Sequence, residues 1–486
     1  MNGIDGMNCF NCTCLGESHL AGGKPCQDFS LSEKMESGAV MTIISDGHGG
    51  KAYFRSDKGA RFACEVALQS VKTFLDSVDA SLFENIGQIG VGTLTSDSHP
   101  GKMSGIETVL RHLAGSIISQ WRKKVSEDAG DTVLSEWEKA NVEQKYIDLL
   151  TNTSKLYRVY GCTLLAYVAT PTYWFAFHIG DGKCIAFYDK ENDKKLWDEP
   201  IPWDEKCFLN KTTSLCEDNA SEDFRFAAGG MADIPVAVFL GSDGIDDSFS
   251  SEEALANFYI KILKEIVLSS HDKTVEDIEA SLPILSKQGS QDDMSVACAY
   301  DMERLKSNII AYSECQMQDI VKDIDKSEKR VSSLTERLSK LDEYLETKKQ
   351  WIFFNGKKKK LEQQLGLMPD TDIQIEQQMA DKGIHRENEK IAVLKRRKDI
   401  LSKEMNSLQE VIEKSEISLP DDVEPENDQI MKESDEPACV DGVNDQTQSQ
   451  SKEQDVNEMT PPDGEIKTED GQIGDAEANP IVNGSE

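Results

Sequence analysis

No stretch of this 486-residue chain approaches the roughly 20 consecutive apolar residues that a membrane-spanning helix needs. The first residues, MNGIDGMNCF, have neither the basic start nor the apolar core of a secretory signal, so a cytoplasmic protein is expected. Positive charge is scarce. Lys and Arg total 53 against 88 Asp and Glu, a formal net charge of −35, which argues against general binding to nucleic acid or anionic membranes. Aromatic residues are missing after Pro420. From Asp421 onward, 20 Asp and Glu oppose 3 Lys, so this segment carries about half of the net charge. Such text cannot bury enough surface to offset its ordering entropy, and residues 420–486 are predicted to form a disordered acidic tail.

A second paired Cys motif is also missing. Cys9, Cys12 and Cys14 form a CxxCxC cluster near His19, but no CxxC follows to complete a zinc site. The segment also alternates like a strand. The simpler reading makes these and Cys64, Cys162, Cys184 and Cys298 small buried hydrophobes in a reducing compartment, with zinc as the alternative.

What is present is enough apolar text for one large core, since hydrophobic residues make up 38%. Over the first 300 residues short apolar strands and helical stretches follow one another. Val40–Ser45 reads as a buried strand, and Leu164–Val168 with Tyr173–Ile179 as a hairpin turning at Thr170-Pro171-Thr172. Val236–Leu240 and Met294–Tyr300 read as further strands, and Ser56–Val78 and Gly105–Val125 as amphipathic helices. Strands and helices segregate, which favours antiparallel sheets flanked by helices over a doubly wound parallel sheet.

Beyond Leu305 the apolar spacing turns to three-four alternation. One seam runs through Ile324, Val331, Leu334, Leu338, Leu341 and Leu345, and a second through Ile391, Leu394, Leu401, Met405, Leu408 and Ile412. Asn355-Gly356, the Lys357–Lys360 run and Pro369 are expected to interrupt the helix between them. An antiparallel coiled-coil hairpin over 306–419 is the simplest picture; a parallel dimer through either seam is the alternative.

The chemistry is concentrated in short acidic turns beside apolar strands. They are Ser45-Asp46-Gly47-His48-Gly49-Gly50, Gly180-Asp181-Gly182, Ser242-Asp243-Gly244-Ile245-Asp246-Asp247 and Gln291-Asp292-Asp293, with Gln27-Asp28 near the start. A single Asp-Gly is a common surface turn. Several in the same relation to strands provide hard oxygen ligands for Mg²⁺ or Mn²⁺, with Gly letting a backbone carbonyl approach the ion. Without a cation, such carboxylates would repel one another.

In this order, DGHGG, GDG, SDGIDD and QDDMSV resemble the motifs of type 2C metal-dependent Ser/Thr protein phosphatases. The resemblance spans residues 10–302. The opening text through Gln27-Asp28, and Tyr53-Phe54-Arg55-Ser56, resemble the bacterial-type branch. The implied fold is α+β: an αββα sandwich of two antiparallel sheets between helices, here a catalytic domain over residues 1–305.

The resemblance implies that Asp46 bridges two Mn²⁺ or Mg²⁺ ions, that the Gly47 carbonyl binds one, and that Asp243 and Asp292 complete the other site. Asp28 matches an acidic residue near the metal waters. Asp181, Asp243 and Asp247 match a weaker third metal site. A metal-bridging hydroxide would attack phosphorus in a phosphorylated protein substrate, and His48 would protonate the leaving Ser or Thr oxygen.

The chain departs from the pattern at one place. The usual phosphate-binding Arg is absent, Gly23 and Lys24 occupy its neighbourhood, and Gln27 replaces the usual Glu. Phosphate would then be held by Arg55, by Lys24 or mainly by metals; Arg55 is the leading candidate for its forked donors. The same departure motivates a rival expectation, a catalytically weak or inactive scaffold that binds phosphoproteins. The C-terminal helices are read as a docking or self-association device, and the tail as a lid or solubiliser. Residues 79–160 exceed a minimal connection and are expected to form a helical cover over the cleft or a partner surface.

Overall fold

The structure is a computed structural model. It describes residues 6–84, 86–94, 104–131, 133–190, 195–208, 211–349, 355–367 and 372–417. The acidic tail, Pro369 and part of the Gly- and Ser-rich text before Gly105 lie outside the described residues. Eleven strands are described: β1 (Met7–Cys14), β2 (Phe29–Lys34), β3 (Val40–Ser45), β4 (Ile89–Val91), β5 (Leu164–Ala169), β6 (Tyr173–Ile179), β7 (Lys183–Phe187), β8 (Trp197–Asp198), β9 (Arg225–Gly230), β10 (Ala237–Gly241) and β11 (Met294–Asp301). They form two sheets, ordered β1-β11-β10-β7-β8 and β2-β3-β5-β6-β9-β4, with every pairing antiparallel.

Both faces of the central strands are covered, which explains their unbroken apolar runs. Side chains alternate between two cores, as the period of two requires. Met41, Ile43, Phe175 and Phe177 pack outward with Phe62, Val66, Leu113, Ile117 and Trp121 from the helices Ser56–Ser77 and Gly105–Asp131. Val40, Ile44, Tyr167 and Trp174 pack inward against Cys184, Val238, Leu240 and Ala297 of the other sheet. The helices Glu252–Leu268 and His271–Gln288 lie over the β1-β11-β10-β7-β8 sheet, where Tyr259 stacks on Phe239 at 4.3 Å and His271 meets Phe10 edge-on. The expected αββα sandwich is therefore present, and the expected hairpin is the β5–β6 pair.

One close approach depends on a glycine inside a helix. Gly59 donates its amide to the Arg55 carbonyl, and a Cβ there would overlap the carbonyl oxygen of Tyr160. In a helix interior Gly→Ala ordinarily stabilises by about 1 kcal/mol. Gly59→Ala is expected to do the reverse and lower stability by about 1–3 kcal/mol, the scale of an overpacked core. A thermal or urea melt of the variant reads the sign directly.

Cys9, Cys12 and Cys14 lie on β1. Strand alternation sends Cys9 to the face opposite Cys12 and Cys14, so the three cannot share one ion. Burial pushes the thiols of Cys12 and Cys14 up to about 12, which suits small packing residues.

The chain divides at Ser307 and Asn308 into two compact units. In the second, the helix Met302–Lys349 continues to Lys349, followed by helices Asn355–Leu365 and Ile373–Ile417. Gln377 bonds Asp342, Arg330 meets Glu387 and Lys395 meets Glu328, so partners rise on one helix as they fall on the other. This is an antiparallel helical hairpin. Ile391, Leu394, Leu401 and Leu408 of the second seam are all buried. Contrary to expectation, the Lys357–Lys360 run lies within a helix. Lysine is a good helix former, and Leu361 and Leu365 of the same short helix pack on Leu341 and Tyr344. The helix stops before Gly366, whose φ is 64°. No helix among the described residues is long and apolar enough to cross a membrane.

Candidate metal centre

The acidic turns sit at strand ends of both sheets. Asp46 follows β3, Asp181 lies between β6 and β7, Asp243 follows β10, and Asp292 precedes β11. Antiparallel pairing brings these ends to one edge of the sandwich. There, one carboxylate oxygen each from Asp46, Asp181 and Asp243 lie within 4.8 Å of one another.

The Asp46 turn is fixed from the neighbouring strand. Its amide donates to Thr163 Oγ1 at 3.0 Å, its carbonyl accepts the Thr163 amide at 2.8 Å, and the Ser45 hydroxyl donates to the Thr163 carbonyl at 2.5 Å. A Cβ on Gly47 would sit 2.5 Å from the Gln27 carbonyl oxygen and 2.8 Å from that of Ser56, so only glycine fits. Gly180, with φ 124°, is held at both polar atoms. Its amide donates to Thr213 Oγ1 at 3.0 Å, and its carbonyl accepts from buried Arg225, which also bonds His178 Nδ1 at 2.9 Å. Thr163, Thr213 and Arg225 thus aim the acidic turns. They are not legible in the sequence because they stand beside no acidic motif and are joined to it only by hydrogen bonds that the fold makes.

Electrostatics show the cost of this arrangement. Burial, then repulsion from Asp243 and Asp28, holds the Asp46 carboxyl well above the usual range. Burial, then Asp243 and Asp293, does the same to Asp28. Asp243 is pushed up to about 7, by burial first and then by Asp181, Asp292 and Asp247. Asp181 is raised as well, chiefly by burial. Asp28 is 5% exposed, and its Oδ2 has no hydrogen-bond partner. All-oxygen donors, mutual repulsion and an orphaned buried carboxylate oxygen fit a hard divalent cation.

Asp292 and Asp247 stand at the exposed margin of this cluster, close enough to raise Asp243 but outside the tight trio. Asp293 is turned inward. It accepts the amides of Gly16 and Gln27 at 2.7 and 2.6 Å and bonds His19 Nδ1 at 2.8 Å. Burial works against its charge, but His19 and the two amides outweigh it and hold the carboxyl below the usual range. Asp293 therefore ties the N-terminal loop to the site rather than facing the cluster.

His48 packs edge-on to Tyr53, with ring centroids 4.9 Å apart. Burial lowers its imidazole to about 4, so it is neutral at pH 7 in the metal-free protein. Gln27 donates from Nε2 to Ser56 Oγ at 2.5 Å and to the His48 carbonyl at 3.3 Å, which places it under the turn.

The expectation that Arg55 holds phosphate is not met. Arg55 is 1% exposed, and its guanidinium is committed elsewhere. Nε donates to Glu138 Oε1 at 2.5 Å, and Nη1 donates to the Tyr160 hydroxyl at 2.8 Å and to Asp128 at 3.4 Å. The physical reason is that a guanidinium this deep must be paired, and the 128–160 segment supplies the partners.

The raised carboxyls set a sign for pH dependence. In the metal-free protein, Asp28, Asp46 and Asp243 bind protons more tightly folded than unfolded. Their favourable contribution is full below the ordinary carboxylate range and is lost as pH rises through the folded values, near 7 for Asp243. Stability of the chelated protein is expected to fall between about pH 4 and pH 7, and added Mn²⁺ to reverse that fall, because the ion stabilises the charged form. Denaturant midpoints across this range, with chelator and with Mn²⁺, measure both slopes.

The family described as Protein phosphatase 2C matches residues 15–278. No curated protein matches the chain. Among solved structures, a serine/threonine phosphatase from S. agalactiae is 16% identical, covering 60% of this chain and 99% of that one at a TM-score of 0.33. The serine/threonine phosphatase Stp1 from Staphylococcus aureus is 10% identical, with coverages of 60% and 94% and a TM-score of 0.34. PppA of Pseudomonas aeruginosa, described as a key regulatory component of T6SS, is 15% identical, with coverages of 62% and 99% and a TM-score of 0.34. Because the family match spans more than half of the sequence, and takes in the Asp46, Asp181 and Asp243 turns, this chain belongs to the protein phosphatase 2C family.

Proposed function

We propose that this protein is a metal-dependent phosphatase acting on phosphoserine and phosphothreonine in proteins. The observation that carries the reading is the convergence of Asp46, Asp181 and Asp243, from three separate strand ends, within 4.8 Å. A fold has little reason to keep such a repulsive cluster unless cations relieve it.

In this reading Asp46, the Gly47 carbonyl, Asp243 and Asp292 hold two Mn²⁺ or Mg²⁺ ions, with Asp28 toward their waters. Asp181, Asp243 and Asp247 form a weaker third site. When bound, two divalent ions supply a nucleophile at neutral pH by acidifying coordinated water, and they orient the phosphate. His48, two residues after Asp46, donates a proton to the leaving Ser or Thr oxygen. Since burial favours its neutral form, the negative charge of the phosphate itself is what favours the protonated form. With Arg55 engaged by Glu138, holding the phosphate would fall to bound divalent ions, with Lys24 the basic alternative that the sequence offers.

The engagement of Arg55 also gives weight to a second reading, a phosphoprotein-binding scaffold with weak or no catalysis. The two separate in one experiment. The purified full chain is assayed with Mn²⁺ or Mg²⁺ on a phosphopeptide and on p-nitrophenyl phosphate. Turnover that chelator abolishes is expected. His48→Ala is expected to slow the phosphopeptide, by about 100-fold or more, and p-nitrophenyl phosphate much less, because nitrophenolate leaves without a proton. No turnover with any divalent ion overturns the reading, and phosphoprotein capture without turnover establishes the scaffold.

A further inference from the structure

The geometry points to a peptide-side pocket next to the metal centre, built by the segment between the Gly105–Asp131 helix and β5. It would take a large apolar side chain flanking the phosphorylated residue. This rests on the phosphatase reading and names a substrate class for the same site.

The pocket is a cavity of 300 Å³. Gly49 and Gly50, of the turn that carries His48, form part of its lining, as does Gln27 beneath that turn. The facing wall is Trp137, Val142 and Tyr146, from the short helices Glu136–Asn141 and Gln144–Ile147 and the link between them. Phe54 adds a third aromatic ring. Trp137, Val142 and Tyr146 are each half-buried. Val142 and Tyr146 also pack on the outer core, and Lys145 Nζ stands 4.7 Å from the Tyr146 ring centroid, so it is the remaining exposed surface of the three that is left for a visitor.

This wall is pinned to the catalytic turn. The Ser135 hydroxyl accepts the Glu138 amide at 3.1 Å, and Glu138 Oε2 accepts the Ser135 amide at 2.6 Å, a reciprocal cap that starts the helix. Glu138 then receives Arg55 Nε at 2.5 Å. Arg55 lies five residues after Gly50, and Glu138 is the immediate neighbour of Trp137. The buried ion pair therefore fixes the position of Trp137 relative to the turn. That is the role the structure gives to the arginine.

Size and charge choose the occupant. A cavity of 300 Å³ is at the lower end for ligand pockets and suits one aromatic or long aliphatic side chain rather than a cofactor. Lys24 and Lys51 also line it, and both are exposed; Lys51 stands 3.5 Å from Glu143. Glu143 also lines the pocket and offsets Lys51, which leaves a net single positive charge at its rim. That charge favours an anionic chain modestly, and a phosphopeptide brings its own negative charge. Because the lining includes Gly49 and Gly50, an extended peptide at about 3.3 Å per residue would place the apolar side chain within about three positions of the phosphate.

The test uses the full chain with Mn²⁺ and three substrates: p-nitrophenyl phosphate, a phosphothreonine peptide flanked by Phe or Leu, and the same peptide flanked by Ala. Wild type is expected to prefer the apolar-flanked peptide by about tenfold or more in kcat/KM, the scale of a few methylenes in a pocket. Trp137→Ala is expected to bring the ratio of the two peptides close to one, mainly through KM, and Trp137→Phe to restore most of it. The ratio, referred to p-nitrophenyl phosphate, is the readout. Equal peptides in wild type, or a Trp137→Ala loss shared equally by all three substrates, would overturn the pocket. If wild type fails to turn over p-nitrophenyl phosphate, the phosphatase reading falls first. The pocket is then judged by the affinities of the two labelled peptides, and equal affinities sink it.

Discussion

Asp243→Asn is expected to lose metal-dependent turnover and gain metal-free stability. The activity loss should be at least about 100-fold, because even partners that merely orient metal ligands cost 10- to 100-fold when removed. Asp243 contributes to the tight trio with Asp46 and Asp181, and it is the charge that most raises Asp46 and Asp28 after burial itself. Asn keeps the shape and one oxygen but removes the charge. The same change relieves the repulsion that pushes Asp46 and Asp28 up. Without metal, the variant should be more stable than wild type at pH 7, on the order of 1–3 kcal/mol, since a tenfold change in proton affinity corresponds to about 1.4 kcal/mol. With saturating Mn²⁺ the order should invert, because wild type binds the ion more tightly. Paired denaturant melts and a phosphopeptide assay measure both signs. A variant less stable than wild type in chelator would show that Asp243 is held by favourable contacts rather than by cations.

Arg55→Ala is expected to act on folding rather than on phosphate affinity. It leaves Glu138 buried at 6% exposure without its cation, and truncating one member of a buried pair costs about 3–5 kcal/mol. Tyr160 and Asp128 lose a donor as well. A phosphate-holding role makes the opposite forecast: unchanged stability, a raised KM on every substrate and weaker inhibition by inorganic phosphate. Arg55→Lys should recover little, because a single ammonium cannot reproduce the forked contacts to Glu138 and Tyr160. Double substitution with Glu138→Gln gives the sharper measurement. If the pair is what matters, the second change should cost much less in the Arg55→Ala background than alone.

Where the sequence is legible, the signal is local. Val40–Ser45 is six buried residues in a row, and Asp46 follows at its end, so strand and turn can be read together. The β5–β6 hairpin shows itself through Thr170-Pro171-Thr172 between two apolar runs. Asp292 and Asp293 are adjacent and alike as residues, and only the structure separates their surroundings, leaving Asp292 exposed and turning Asp293 inward onto Gly16, His19 and Gln27. Arg55 is easily misassigned because its partner Glu138 is 83 residues away, in a segment with no motif. Lys357–Lys360 misleads because a charge run looks like a break, although lysine itself favours helix.

The order of acidic turns beside apolar strands, read from the sequence alone, singled out the Ser45–Gly50 turn as a candidate site. The segregation of strands and helices favoured antiparallel sheets, and the resemblance to type 2C phosphatases implied the two-sheet sandwich that the structure has. Strand alternation and turn residues act over a few positions, so they are written in adjacent letters. Tertiary structure alone decided which carboxylates meet, which arginine is engaged and which aromatic rings wall the cleft. Those outcomes depend on antiparallel pairing that brings distant strand ends to one edge, and on the rule that a buried charge must find a partner wherever the fold puts one.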